Sequence, residues 1–82
     1  MPTIFRYMGY SIVVYPNDHT PAHVHAKTQG GELIIEIEGN VQVRELRGKI
    51  RKKDVPKLLA YIAQAENLAK AREVWNETRP DA

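Results

Sequence analysis

All three histidines of this 82-residue chain lie in one short stretch, residues 17–25. The stretch reads Asn17-Asp18-His19-Thr20-Pro21-Ala22-His23-Val24-His25. Imidazole changes its charge near neutral pH and is the commonest nitrogen ligand for metals in proteins. The clustering therefore predicts a site for proton transfer or for metal binding.

The elements that position this stretch are short strands. Segments rich in β-branched or aromatic residues fill the first half of the chain, separated by glycine, proline and asparagine. The predicted strands are residues 3–7, 10–15, 23–28, 32–38 and 41–46. From Asp54 the apolar residues recur about every 3.6 positions, which predicts one helix over residues 54–76, with Asp54 as its cap and Pro56 in its first turn. The sequence thus predicts one α+β domain over residues 1–82, an antiparallel meander of about five short strands packed on one C-terminal amphipathic helix.

Two turns that contain glycine set the predicted strand register. A two-residue loop at Gly30-Gly31 places Val24 opposite Ile37, which makes one apolar face for the helix to cover. After Gly39-Asn40 the preferred loop has one extra residue, as a bulge or a three-residue loop. That register sets Glu36 opposite Arg44 and competes with any metal site that uses Glu36.

The opposite face of the same hairpin gathers polar side chains. The predicted register puts His25 opposite Glu36 and His23 opposite Glu38, with opposed Cβ atoms about 5 Å apart. Three interpretations stay open. In the first, the pairs are ordinary His/Glu ion pairs. In the second, His23 and His25 with Glu36 or Glu38 ligate Zn²⁺ or Fe²⁺ with positions left for water or substrate, and Asp18 or His19 completes or orients the set. In the third, the face performs metal-free acid/base chemistry or ligand binding.

Asp18 and His19 are the predicted catalytic residues, and they too have two interpretations. Asp18 orients His19 for proton transfer, or the two lie in a turn between Pro16 and Pro21 with His19 exposed, which the turn residues favour. The chain has no cysteine and no serine beside a plausible base, so covalent nucleophilic catalysis lacks support.

Charge is unevenly distributed along the chain. The net charge is +2, but residues 44–57 contain seven basic residues and two acidic ones, a local excess of +5. This excess predicts either a solvated connection before the helix or a surface for nucleic acid or an acidic partner. The predicted binding residues are Arg47, Lys49, Arg51, Lys52 and Lys53.

The composition predicts the cellular compartment, and the predicted sheet predicts the oligomeric state. The absence of cysteine fits a reducing compartment. The first residues lack the build of a signal peptide, and no apolar run approaches the roughly 20 residues of a membrane span. We expect a soluble, cytoplasmic protein without membrane contact. The open edges of a small sheet predict a homodimer.

A family resemblance rests on Asp18-His19, Pro21, His23-Val24-His25-Ala26, Met1-Pro2-Thr3-Ile4 and Trp75. Together these residues resemble a family of small bacterial proteins, the domain-of-unknown-function family numbered 4160. The most specific part is the pattern Asp-His-x-Pro-x-His-x-His, although the family commonly has two prolines and an aromatic where this chain has Thr20-Pro21-Ala22 and Val24. The resemblance implies a small intracellular α+β protein, encoded beside other short reading frames in arrangements like those of toxin–antitoxin modules.

Three functional hypotheses follow. The leading one is a regulatory or interaction protein of toxin–antitoxin type, which binds a protein partner from a neighbouring gene and contacts nucleic acid through the basic residues. The second is a small metal-assisted hydrolase or ribonuclease, with His23, His25 and Glu36 as ligands and His19 or Asp18 handling protons. The third is a small-molecule binder that uses the same polar face.

Overall fold

Five antiparallel strands form one sheet in the order of the sequence, and two helices follow it. The computed structural model describes residues 3–78; Met1 and Pro2, part of the family resemblance, lie outside them. The elements are β1 (Thr3–Tyr7), β2 (Tyr10–Val13), β3 (His23–Thr28), β4 (Gly31–Glu36), β5 (Gln42–Gly48), α1 (Asp54–Ala63) and α2 (Ala65–Glu77). The predicted α+β class and the meander are confirmed.

One face of the sheet and one side of each helix form the core. Side chains alternate along a strand, so every second residue of the three central strands faces the helices. Those side chains are fully buried and include Ile12, Val24, Ala26, Leu33 and Ile35. Leu58 and Ile62 of α1 and Ala71 and Trp75 of α2 cover them. Each large aliphatic side chain removed from water in this way stabilises the fold by about 1.5–3 kcal/mol.

The helical region is divided at Gln64, where the periodicity predicts a single helix. Gln64 has an extended backbone, with φ −58° and ψ 135°. The Asn67 side-chain amide donates a hydrogen bond of 2.8 Å to the Tyr61 carbonyl, and the Gln64 carbonyl accepts the Leu68 N–H at 2.8 Å. These bonds satisfy backbone groups that the break leaves open. Neither α1 nor α2, the helices within residues 3–78, has the length and apolarity needed to cross a bilayer.

Asp54 begins α1 without capping it. The helix has no side-chain cap, and the Asp54 carboxylate instead accepts a hydrogen bond of 2.9 Å from the Tyr10 hydroxyl. Burial, and then this bond, raise the pKa of Tyr10. The contact ties the start of α1 to β2.

The register of the β3–β4 hairpin differs from the prediction by two residues. Thr28 lies opposite Gly31, so the loop is Gln29-Gly30, and Gly30 supplies the positive φ of +94° that the turn requires. Gly31 is the first residue of β4, and a larger residue does not fit there because a Cβ would lie 2.3 Å from the Lys49 carbonyl oxygen. The predicted pairing of His25 with Glu36 is therefore wrong, since His25 lies opposite Ile34 and His23 opposite Glu36.

The β4–β5 pair contains a bulge at Arg44. Ile34 lies opposite Glu45 and Ile35 opposite Val43, which leaves Arg44 as the additional residue. Glu36 lies opposite Gln42, so the predicted pairing of Glu36 with Arg44 is also wrong. β5 is an edge strand, and all seven of its residues are exposed.

Candidate metal centre

Two buried histidines mark the face of the sheet that the helices do not cover. His23 and His25 lie on β3, the central strand, and are 6% and 5% exposed. Val13 of β2 and Ile34 of β4 lie opposite His25 on its two sides, and both are buried. Imidazoles held between apolar neighbours need polar partners for their ring nitrogens, because a buried nitrogen without one costs about 1–3 kcal/mol.

The loop between β2 and β3 supplies the first of these partners. The Asp18 N–H donates to the Tyr15 carbonyl at 3.2 Å, which closes a turn with Pro16 at its second position, where proline is favoured. The turn directs the Asp18 carboxylate at β3. Its Oδ2 lies 2.8 Å from Nε2 of His25 and 3.1 Å from Nε2 of His23.

The opposite nitrogens of the two rings are held by acceptors. Nδ1 of His23 lies 2.8 Å from the Pro21 carbonyl oxygen, and Nδ1 of His25 lies 2.5 Å from Oε2 of Glu32. A carbonyl or carboxylate can only accept, so each Nδ1 carries a proton and donates it. In a neutral ring, Nε2 then carries a lone pair, which is directed towards the Asp18 carboxylate.

Arg44 also approaches His23. Its Nη1 lies 3.4 Å from Nδ1 of that ring, longer than the 2.8 Å contact with Pro21. Nδ1 cannot donate to Pro21 and accept from Arg44 at once, and the shorter contact favours the Pro21 bond. Arg44 is thus a cation next to the cluster formed by Asp18, His23 and His25.

Three ligand atoms with the chemistry of a divalent metal site converge here. Asp18, His23 and His25 each offer one atom, and the three lie within 4.8 Å of one another. Ligands about 2.1 Å from a tetrahedral ion lie roughly 3.4 Å apart. The Asp18–His25 distance of 2.8 Å and the Asp18–His23 distance of 3.1 Å would therefore lengthen by about 0.6 and 0.3 Å on metal binding. Two imidazoles and one carboxylate, with each Nδ1 held by an acceptor, are typical of Zn²⁺ and non-haem Fe²⁺ sites with open positions.

Charge balance also favours a cation at this point. The two ring nitrogens of His25 face two carboxylates, those of Asp18 and Glu32. Such a ring carries a proton on each nitrogen, or a metal ion replaces the proton on Nε2. One divalent ion matches the two carboxylate charges while both histidines stay neutral.

A pocket of about 400 Å³ opens over the three ligands. Besides the cluster, it is lined by Tyr15, His19, Glu32, Ile34, Arg44, Glu45 and Arg47. The Tyr15 ring contacts the His25 ring edge-on, with centroids 4.4 Å apart. The Tyr15 hydroxyl accepts a bond of 2.6 Å from Lys27, which raises the pKa of Lys27. The pocket gives a ligand access to the open side of the cluster.

Trp75 covers the cluster from the helical side. Its ring lies 5.1 Å from the His23 ring, and Trp75 is 4% exposed at the end of α2. Trp75 therefore packs against the start of β3. The helical region therefore helps to fix the position of one ligand.

The residues predicted from sequence are only partly brought together. Asp18 joins His23 and His25, and His19 is exposed at the pocket. Glu36 lies outside the cluster, and its Oε2 accepts a bond of 3.2 Å from Gln42.

The predicted basic residues are all exposed, but they do not share one location. Arg47 lines this pocket, whereas Lys49 and Arg51 line a separate cavity beside Tyr10 and Asp54. Lys52 and Lys53 lie in the turn before α1.

Sequence reasoning missed Glu32 and Arg44 as site residues. Glu32 has the same strand parity as Glu36 and becomes visible once the hairpin loop is placed at Gln29-Gly30. Arg44 reaches the site because the extra residue predicted after Gly39-Asn40 lies within β5, as a bulge between Val43 and Glu45.

The protein is a small α+β protein with a candidate metal centre. Two helices cover one face of its meander sheet, and two histidines and an aspartate converge on the other, open face. The chain matches the family described as Domain of unknown function (DUF4160) over residues 9–76, and it belongs to that family. The match includes the whole cluster. No curated protein and no solved structure matches the chain.

Proposed function

We propose that this protein binds one divalent metal ion, Zn²⁺ or Fe²⁺, through Asp18, His23 and His25, and uses it for metal-assisted hydrolysis. The observation that carries the proposal is the convergence of the two Nε2 atoms on Oδ2 of Asp18, at 2.8 and 3.1 Å. The ligand set differs from the sequence prediction, because Asp18 takes the place of Glu36.

The chemistry needs an open metal position and a group to accept a proton. Asp18, His23 and His25 would hold the ion and leave at least one position for water or substrate. A bound Zn²⁺ or Fe²⁺ would supply Lewis-acid chemistry there, by favouring loss of a proton from water so that it could displace a leaving group from the substrate. His19 lines the pocket outside the ligand set, so we assign it the transfer of the proton from water to the leaving group.

Metal analysis after gel filtration tests the ligand set, with two histidine variants as a matched pair. We expect about one equivalent of Zn²⁺ in the wild type and in His19→Ala, and less than about a tenth of that in His25→Ala, since removal of one of three ligands opens the site. Circular dichroism of the metal-free variants checks that both are folded. Equal metal content in the two variants would contradict the assignment.

Hydrolysis is then measured with the metal-loaded protein on chromogenic ester and phosphodiester substrates. His19→Ala should retain its metal and lose about 10²- to 10⁴-fold in rate, the usual contribution of a positioned acid/base group. A loaded wild-type protein without activity towards any of these substrates would leave metal binding in place but reject hydrolysis.

A second function, of toxin–antitoxin type, is supported by the exposure of the basic segment. Residues 44–57 carry the +5 excess, and Lys49, Arg51, Lys52 and Lys53 are all exposed. We propose that these residues contact nucleic acid or an acidic partner protein; a cytoplasmic location and a homodimer stay predictions. Binding to RNA or DNA should weaken steeply with salt and with the loss of Arg51, Lys52 and Lys53. Absent or salt-insensitive binding would reject the nucleic-acid role.

A further inference from the structure

The bulge in β5 turns two consecutive side chains towards the metal pocket. In a regular strand, neighbouring residues face opposite sides of the sheet. Because Arg44 is the additional residue between Val43 and Glu45, both Arg44 and Glu45 line the pocket, and Arg47 follows on the same face. Bulges are over-represented beside active sites, where they redirect side chains.

Only one of the two pocket arginines is neutralised by a carboxylate. Arg47 donates to Glu45 through two bonds of 2.7 and 3.4 Å, and this contact lowers the pKa of Glu45, which therefore stays anionic. Arg44 forms no ion pair with any carboxylate of residues 3–78, and its polar contact is the 3.4 Å approach to His23. A guanidinium that is not paired with a carboxylate can act as a planar, bidentate hydrogen-bond donor to an oxyanion.

We propose that the site takes a phosphate-bearing ligand, with one phosphate oxygen on the metal ion and another on the Arg44 guanidinium. The inference rests on the proposed metal site and names the substrate class of that site. Arg44 lines the same pocket as the three ligands, and its Nη1 lies 3.4 Å from Nδ1 of the His23 ring.

Charge favours phosphate over a carboxylate. The metal ion balances Asp18 and Glu32, and Glu45 balances Arg47, so Arg44 leaves the loaded pocket with an excess of positive charge. A dianionic or polymeric phosphate gains from this field more than a single carboxylate does.

Titration calorimetry of inorganic phosphate and of acetate into the Zn²⁺-loaded protein tests the proposal. Arg44→Gln is compared with Arg6→Gln, which removes the same charge from an exposed position on β1, at the opposite edge of the sheet. We expect phosphate to bind more tightly than acetate, to bind about tenfold more weakly to Arg44→Gln, which loses a charged hydrogen bond, and to be unaffected in Arg6→Gln.

The outcomes separate this inference from the metal site itself. Stoichiometric Zn²⁺ without phosphate binding, tighter binding of acetate, or equal phosphate affinity in Arg44→Gln and Arg6→Gln would overturn the phosphate assignment alone. Failure to retain Zn²⁺ would overturn both proposals. Short oligonucleotides, tested next in the same way, distinguish a phosphodiester polymer from a small phosphate ester.

Discussion

The two faces of β3 are equally buried but are built from different interactions. Val24 and Ala26 are 0% exposed and pack on the helices, whereas His23 and His25, at 6% and 5%, lie among apolar and aromatic neighbours and have polar partners at their ring nitrogens. The apolar face is stabilised by buried apolar surface area and by close packing, and any aliphatic side chain that fits provides both. The polar face depends on particular atoms, because each ring nitrogen has its own partner. One face therefore specifies the fold, and the other specifies a ligand.

The largest effect on stability is expected from the helix-covered face. Ile35→Ala removes a fully buried side chain and should lower the free energy of unfolding by about 2–5 kcal/mol. Urea denaturation of the metal-free protein measures it. Leu46→Ala is the control, since Leu46 lies opposite Leu33 but is 47% exposed and should cost less than about 1 kcal/mol. Equal losses would mean that the helices do not define the core.

The metal ligands Asp18, His23 and His25 should add further stability when metal is present. At Zn²⁺ concentrations near 100 times the dissociation constant, the wild type gains about 2.7 kcal/mol by mass action. Asp18→Asn keeps the size of the side chain but removes the charged ligand, so this gain should disappear. Thermal melts with Zn²⁺ and with chelator measure the difference. If Zn²⁺ stabilises the variant as much as the wild type, the contrast between the two faces fails.

The sequence predicted which side of the sheet each side chain faces better than it predicted the cross-strand pairs. The geometry of the hairpin explains the difference. Strand alternation placed His23 and His25 on one side and Val24 and Ala26 on the other, as the structure has them. The register was wrong by two residues, and a shift of two keeps every side chain on its predicted face while it changes every pairing. Either Gly30 or Gly31 can close a turn; in the fold Gly30 has the positive φ, and Gly31 lies in β4, where the Lys49 carbonyl leaves no room for a Cβ.

Long-range contacts also explain the other differences. The helix divides at Gln64 without a glycine or proline, through the side chain of Asn67. Asp18 was predicted either to act beside His19 or to complete the metal set, and the choice between these roles depends on the folded loop that brings Asp18 to β3. The bulge at Arg44 depends on how β4 and β5 meet. Local patterns therefore predicted the meander, whereas the ligand set required the tertiary structure.

A smaller effect distinguishes the observed register from the predicted one. Glu32→Gln removes the carboxylate that holds Nδ1 of His25, and loss of such a partner usually weakens metal binding by about 10- to 100-fold. Glu36→Gln is the matched control, because Glu36 lies on the same face, opposite His23, and bonds to Gln42. Competition with a zinc-sensitive dye measures both affinities. The structure requires a loss in Glu32→Gln and little change in Glu36→Gln, whereas the register predicted from sequence requires the reverse, so the pair of variants decides between them.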